Sequence, residues 1–198
     1  MYTCIDSFLV FCGDYFQRKF SLDEGSAWFS LITIIGAILT PFAGILLDRI
    51  GRRTMALITT GLLFNIAHFF IMILPEKHSQ AYTFAILPLA VGYAFLVCAL
   101  FSSFIYVVPK KAMGTAYGIC YMFYALSLLI GSMLGGYVVP KENESLTGFK
   151  KFSVILIGYS IAGSLAAIVL HFYDAHHTKL LMSKNPNKRQ RILNLKDS

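Results

Sequence analysis

The sequence predicts an all-α membrane protein with five complete transmembrane helices and one partial helix at the N-terminus. Of its 198 residues, 57% are hydrophobic and 14% are charged, and the mean hydropathy is +0.65. Soluble domains carry about a quarter charged residues. The charged residues here lie in short clusters between long apolar runs. A bilayer can solvate apolar side chains on the outside of a helical bundle, so a membrane fold accommodates this composition.

Five apolar runs are long enough to cross a membrane, namely residues 27–47, 54–74, 82–108, 112–139 and 152–173. The two shortest runs contain 21 residues each. As α-helices they reach about 31 Å, and the hydrocarbon core of a bilayer is about 30 Å thick. Each run therefore predicts one complete transmembrane helix, and the short connections place consecutive helix ends on alternate sides of the membrane.

Residues 1–12 form a sixth apolar segment, which is too short to span a membrane and is interrupted by Asp6. A signal peptide would carry a basic region before the apolar stretch and small residues at a cleavage site after it, and this segment has neither. We interpret it as the end of a transmembrane helix whose beginning is missing. Residues 13–26 are then expected to connect it to the first complete helix.

The predicted connections fall on two sides of the membrane. Residues 48–53, 109–111 and the tail 174–198 share one side, and residues 13–26, 75–81 and 140–151 share the other. Outside the tail the two sides carry five and six Lys and Arg residues, so orientation depends on the six in the tail. The positive-inside rule predicts a cytoplasmic tail. The glycosylation sequon at 143–145 falls on the opposite side, in agreement. The chain thus divides into a six-helix unit, 1–173, and a basic cytoplasmic tail, 174–198.

The connection between the first two complete helices carries the most informative motif. Gly51 permits a tight turn. Asp48 ends one helix beside several arginines, where it can pair with Arg and accept hydrogen bonds from the N-terminus of a facing helix. Such contacts would form a latch that breaks when two helical bundles rock apart. The alternative is a basic cytoplasmic turn placed by the positive-inside rule. The candidate latch residues are Gly44, Asp48, Arg49, Gly51, Arg52 and Arg53.

The pattern G-x-x-x-D-R-x-G-R-R over residues 44–53 resembles the signature loop of the major facilitator superfamily, which joins the second and third helices of each six-helix half. Its position agrees with this family if residues 1–12 belong to the first helix of the half. Two further segments, Cys98-Ala-Leu and residues 107–118, resemble the C-terminal half of the branch that contains lysosomal transporters associated with dipeptides. The resemblance covers about residues 15–173.

This resemblance implies half of a twelve-helix facilitator fold and secondary-active or facilitative transport of a small solute by alternating access. It also implies dipeptides as the solute and the lysosomal membrane as the location. The chain departs from the family in having half the number of helices. It also has Phe101-Ser102-Ser103 where the branch has bulkier residues and a proline, which leaves the substrate open. The alternative is a non-transporting membrane adaptor or a truncated gene product.

Polar faces on two helices are candidates for lining a substrate cavity. Tyr117, Tyr121 and Tyr124 have the i, i+4, i+7 spacing of one helical face. In the family, the helix at this position borders the central cavity. On the preceding helix, Ser102, Ser103 and Tyr106 form a polar arc. The alternatives are that the tyrosines pack between helices and that the serines bond back to their own backbone.

The second complete helix carries the polar residues Asn65 and His68, three positions apart on one face. An ionisable residue inside a membrane is a candidate for function. The family, however, places this helix at the periphery of the bundle. We therefore expect His68 to make a structural hydrogen bond between helices.

The sequence predicts no enzymatic activity, no cofactor and no metal site. An intramembrane enzyme needs acids, bases or a nucleophile pair at membrane depth, and the five complete helices contain no Asp, Glu, Lys or Arg. The four cysteines lack paired metal spacing, although a disulfide between Cys4 and Cys12 stays open. The expected partners are a small-molecule substrate, the lipid bilayer, and either a missing N-terminal half or a second copy. The net charge of +7 comes from helix ends and the tail, so no nucleic-acid partner is expected.

Overall fold

The structure of the protein is a computed structural model, which describes residues 1–20, 25–73, 83–139, 147–178 and 181. Six α-helices make up most of this part of the chain. They are α1 (Tyr2–Phe20), α2 (Gly25–Ile50), α3 (Arg53–Ile73), α4 (Thr83–Val107), α5 (Met113–Val138) and α6 (Thr147–Tyr173). A 3-10 turn (Lys110–Ala112) precedes α5, and a π-helical turn (Asp174–Thr178) follows α6.

Helices α2 to α6 are each long and apolar enough to cross a membrane. Helix α1 has 19 residues and would reach about 28 Å, but its charged residues exclude it from this group on composition. The prediction of an all-α membrane protein with five spanning helices and a further N-terminal helix is therefore confirmed.

Several predicted connections are partly helical, among them 48–53, which is helical over 48–50 and again from Arg53. The segment 13–26 is helical over 13–20 and again from Gly25. Helix α1 continues past the apolar run because Tyr15 and Phe16 are buried, while Asp14 and Arg18 pair one turn apart at 2.7 Å. In the predicted connection 140–151, residues 147–151 already belong to α6. The connection 75–81, the sequon at 143–145 and residues 182–198 of the basic tail lie outside the described residues.

The helices pack as one bundle in which α3 lies against α4 and α6, α2 lies against α4, and α1 contacts α2, α5 and α6. The buried core includes Phe64, Ile71, Leu89, Phe152 and Phe16. Many large apolar side chains point outward, among them Ile38, Phe42, Leu62, Phe69, Met122, Met133, Leu165 and Val169. Such a surface is unfavourable in water but is what lipid tails require, so the burial pattern agrees with a membrane protein.

Several hydrogen bonds join neighbouring helices through side-chain donors. They run from Tyr15 to the Ile71 carbonyl (2.9 Å), from Ser160 to the Gly61 carbonyl (3.1 Å), from Cys98 to the Thr40 carbonyl (3.2 Å), and between Thr54 and His171 (2.9 Å). Cys4 and Cys12 are both buried free thiols, so the disulfide left open by the sequence is absent between them.

Helix α1 packs closely on α5 because glycines on α5 leave room for its side chains. A Cβ atom added to Gly131 would collide with Ser7, and one added to Gly135 would collide with the Phe11 ring. Glycine therefore permits an interhelical approach that a larger residue would prevent. Gly136, the next residue along α5, has nothing within 4 Å of such a Cβ atom.

This packing predicts different effects for the same substitution at neighbouring positions. Gly135→Val should destabilise the fold by about 1–3 kcal/mol, because the added methyl groups force Phe11 to move. Gly136→Val changes helix propensity equally and should have a much smaller effect. The melting temperature of each purified variant in detergent measures the difference. Equal melting temperatures for the two variants would show that the α1–α5 contact does not limit stability.

Candidate functional site

The turn between α2 and α3 positions the arginines of the motif. The Gly51 backbone has a φ of 74°, a left-handed conformation that glycine adopts at little cost. Its N–H group donates to the Leu47 carbonyl at 2.7 Å and closes the end of α2. The chain then reverses direction within two residues, and Arg53 becomes the first residue of α3.

Arg53 is the centre of a polar cluster that joins the ends of three helices. Its side chain is only 1% exposed. The guanidinium group bonds to Asp48 of α2 at 3.3 Å and donates to Ser102 of α4 at 3.1 Å. It also lies 3.7 Å from the ring centroid of Tyr106, a cation–π contact. These contacts offset part of the large cost of removing a charge from water, while Nη1 is buried without a hydrogen-bond partner among the described residues.

The segment after α6 folds back onto this cluster. The Leu181 carbonyl accepts a hydrogen bond from the Arg53 backbone N–H group at 3.3 Å, and the Leu181 N–H group donates to Asp174 at 3.2 Å. Asp174 and Leu181 are both buried. The start of α3, where unpaired N–H groups favour carbonyl oxygens and negative charge, thus donates one of these groups to Leu181. This contact cannot be predicted from the sequence, because Leu181 lies far along the chain from Arg53.

Three latch candidates, Gly44, Arg49 and Arg52, take no direct part in the cluster. Arg49 and Arg52 are exposed at the same end of the bundle. Gly44 faces α4, where a Cβ atom would meet the Cys98 sulfur at 3.9 Å, an ordinary contact. Asp48 is the exposed member of its pair, with 75% of its side chain accessible. The structure therefore brings Asp48, Gly51 and Arg53 together and leaves Arg49 and Arg52 accessible.

The serine–tyrosine arc of α4 lies next to Arg53. Ser102 and Tyr106 contact the guanidinium group, as described above. Ser103 instead donates to the carbonyl group of Ala99 at 2.5 Å, within its own helix. Two residues predicted for a cavity thus belong to the same cluster as the latch, while their role in binding a solute stays a prediction.

The tyrosine stripe of α5 faces α4 and α1. Tyr117 donates to the Phe101 carbonyl at 3.2 Å. The Tyr121 ring lies 5.6 Å from the Phe101 ring, and the Tyr121 side chain is 56% exposed. Tyr124 makes an edge-to-face contact with Tyr2 of α1 at 5.0 Å. Tyr121 is therefore the exposed member of the stripe, while Tyr117 and Tyr124 are half-buried.

An open cavity of about 480 Å³ lies between the start of α1 and helices α3, α4, α5 and α6. Its wall is mostly apolar and includes Leu96, Cys120 and Leu170, with Tyr2 and Tyr124 as polar members. Of the six cavity candidates, Tyr124 alone lines this space. Ligand sites combine a largely apolar wall with a few polar groups, and this cavity has that composition.

The prediction of an interhelical hydrogen bond for His68 is wrong. Its ring is fully buried and lies edge-on to Phe8 of α1, with 5.1 Å between the ring centroids. Neither ring nitrogen has a hydrogen-bond partner among the described residues, and the same holds for the side-chain oxygen of Asn65. The expected hydrogen bond between helices is therefore replaced by an aromatic contact between α3 and α1.

The sequence also does not predict the neighbours of Asp6, which are tyrosines. Asp6 interacts with Tyr2 on α1, Tyr93 on α4 and Tyr124 on α5. The signal available in the sequence was an acidic residue inside an apolar segment. Within the described part of the chain, no group of three or more His, Cys, Asp or Glu side chains could hold a metal ion.

Comparison with known proteins identifies the family. The family model of the Major Facilitator Superfamily matches residues 1–196. The chain is 28% identical to the lysosomal dipeptide transporter MFSD1 of Gallus gallus, over 96% of this chain and 41% of the relative. The proteins of the same name in Danio rerio and Homo sapiens are 27% and 26% identical over 87% of this chain and 36% of each relative.

The chain spans about two fifths of the length of these relatives. No solved structure matches it. The family match covers nearly the whole chain, and the fold is the all-helical, multi-pass arrangement expected for half of such a protein. This chain belongs to the major facilitator superfamily of membrane transporters.

Proposed function

We propose that this chain forms the C-terminal half of a secondary-active or facilitative transporter that moves dipeptides across the lysosomal membrane by alternating access. The family match and the names of the relatives support the reaction class, the substrate and the location. The observation that carries the proposal is the buried Arg53, which ties together the ends of α2, α3 and α4.

The Arg53 cluster can act as a conformational latch. Alternating access requires two helical bundles to rock against each other around a site near the middle of the membrane. Asp48 pairs with Arg53 at one oxygen, while most of its side chain stays accessible. A second bundle can therefore place donor groups against Asp48 in one state and withdraw them in the other. The latch would bias the equilibrium between the states through this difference in contacts.

The latch predicts that Asp48→Asn slows transport more than it affects folding. The change keeps the shape of the side chain and removes its charge, so it weakens contacts contributing about 1–3 kcal/mol. Asp14→Asn is a matched control, because Asp14 also pairs with an arginine but lies on α1. Uptake at equal expression should fall for Asp48→Asn and change little for Asp14→Asn. Unchanged uptake by Asp48→Asn would remove the support for a latch.

The substrate is tested by supplying the second half. The chain is expressed together with the N-terminal part of the Gallus gallus relative as a separate polypeptide, and both are reconstituted in liposomes. The proposal expects saturable uptake of labelled dipeptides that unlabelled dipeptides inhibit. The relative itself, split at the same place, is the control for assembly. Uptake by the split relative but not by the hybrid would contradict the proposal.

The orientation of the chain gives a further prediction. The basic tail should face the cytoplasm and the connection at 140–151 should face the lumen or exterior, because positive charge is retained on the cytoplasmic side. A maleimide reagent should label Ser183→Cys only after cells are permeabilised. For variants that reach the cell surface, Asn143→Cys should be labelled in intact cells. The unsubstituted chain controls for its own cysteines, and the reverse labelling pattern would invert the topology.

A further inference from the structure

Asp6 is the acidic residue that the structure places near the middle of the bundle. It lies opposite Tyr93, about midway along α4, and Tyr124, about midway along α5. The middle of the membrane is where transporters of this architecture hold their solutes. A carboxyl group there costs free energy unless it has a partner.

The Asp6 carboxyl group lacks a full set of partners in the described part of the chain. Its Oδ2 atom is buried and has no hydrogen-bond partner. The described ion pairs join Arg18 to Asp14 and Arg53 to Asp48, and none includes Asp6. One carboxylate oxygen is thus left without a donor among the described residues.

The surroundings of Asp6 are aromatic. Tyr2 and Tyr124 meet edge-to-face at 5.0 Å, and Tyr93 of α4 is near enough to Asp6 to interact with it electrostatically. The Tyr124 hydroxyl group is within reach of the carboxyl group. Tyr2 and Tyr124 also line the open cavity of about 480 Å³. Ammonium groups are bound by combining a carboxylate with aromatic rings, because both present negative potential to the cation.

We propose that Asp6, with Tyr2, Tyr93 and Tyr124, binds the ammonium group of a small organic solute. The Asp6 carboxylate accepts a charge-assisted hydrogen bond from the ammonium group, and the tyrosine rings surround its remaining surface. This subsite accounts for the buried, unpartnered oxygen at membrane depth. The subsite rests on the proposed transport function, which supplies the route by which the solute arrives. It adds the requirement that the solute carries a free, positively charged amine.

Binding is measured without transport. Alanyl-alanine amide carries one ammonium group, and its N-acetyl derivative has the same backbone without the charge. The purified chain is melted at increasing concentrations of each probe, since a ligand that binds the folded state raises the melting temperature. We expect the cationic probe to bind about ten to a hundred times more tightly than the acetylated probe.

Matched variants assign the effect to Asp6. Asp6→Asn should remove the preference for the cationic probe, and Asp14→Asn should retain it, because Asp14 lies two turns further along α1 and pairs with Arg18. Equal binding of both probes by the parent chain would overturn the proposal even if Asp6→Asn fails to fold. An undiminished preference in folded Asp6→Asn would overturn it as well.

The uptake experiment separates this subsite from the proposed function. If the cationic probe binds through Asp6 but the reconstituted hybrid takes up no dipeptide, the transport proposal fails and the subsite stands. If dipeptide uptake occurs and both probes inhibit it equally, the subsite fails and the transport proposal stands.

Discussion

Arg53→Met should reduce dipeptide uptake by the reconstituted hybrid about ten- to a hundredfold, since hydrogen bonds to charged groups contribute about 1.5–3 kcal/mol. Methionine fills much of the space of the arginine stem but makes none of its polar contacts. The variant therefore loses the pairing with Asp48, the hydrogen bond to Ser102 and the cation–π contact with Tyr106 at once. The ends of α2, α3 and α4 would then lack their shared partner.

A second substitution separates packing from charge. Arg53→Ala removes the buried stem as well and should lower stability by about 2–5 kcal/mol, as large-to-small core changes do. Arg53→Met should keep a melting temperature close to that of the parent. Lys111→Leu removes an exposed cation at the same end of the bundle and should affect neither property. Parental uptake by a folded Arg53→Met variant would show that the cluster stabilises the fold without acting as a latch.

The helices could be predicted from sequence because a membrane imposes a simple requirement on them. Every backbone polar group must be bonded within the helix, and about 20 apolar residues are needed to cross. The five spanning helices follow from this requirement alone. The end of α1 does not, because the apolar run stops at residue 12, whereas the helix continues with Asp14 and Arg18 paired with each other.

The contacts of the site were less predictable because they join distant parts of the chain. The motif identified Asp48 and Arg53, but it did not reveal that Ser102 and Tyr106 would meet the guanidinium group. Their helical face predicts instead that they line a cavity. Helical spacing predicts which residues lie on the same face of α4. Which residues that face contacts depends on how α4 packs on α2 and α3.

The partners of buried polar residues do not follow from the sequence. His68 was expected to find a hydrogen bond and instead packs against Phe8. In the sequence, Asp6 interrupts an apolar segment. In the structure, two of its tyrosine neighbours come from other helices. In both cases the sequence shows that a polar group lies at membrane depth. It does not show which helix faces that group.

The 198-residue chain, reconstituted alone as a monomer, should show no saturable uptake. Transporters of this family form their cavity between two six-helix halves, and the chain matches about two fifths of the length of its relatives. A single half supplies one wall. Tyr121, with 56% of its side chain exposed, would then face lipid, where an unpaired polar group costs about 1–3 kcal/mol. A solute held against one wall would have no closed route through the membrane.

Liposomes containing the purified chain test this expectation, with the oligomeric state established by cross-linking. Uptake should appear only when the N-terminal part of a relative is added or when two copies assemble. Two copies with the same tail orientation could pair only in a parallel arrangement, so a transporting homodimer should cross-link between equivalent positions. If no combination transports although the hybrid assembles, the chain is better described as a membrane adaptor. Saturable uptake by a demonstrated monomer would contradict the expectation, because one six-helix unit would then form a complete pathway by itself.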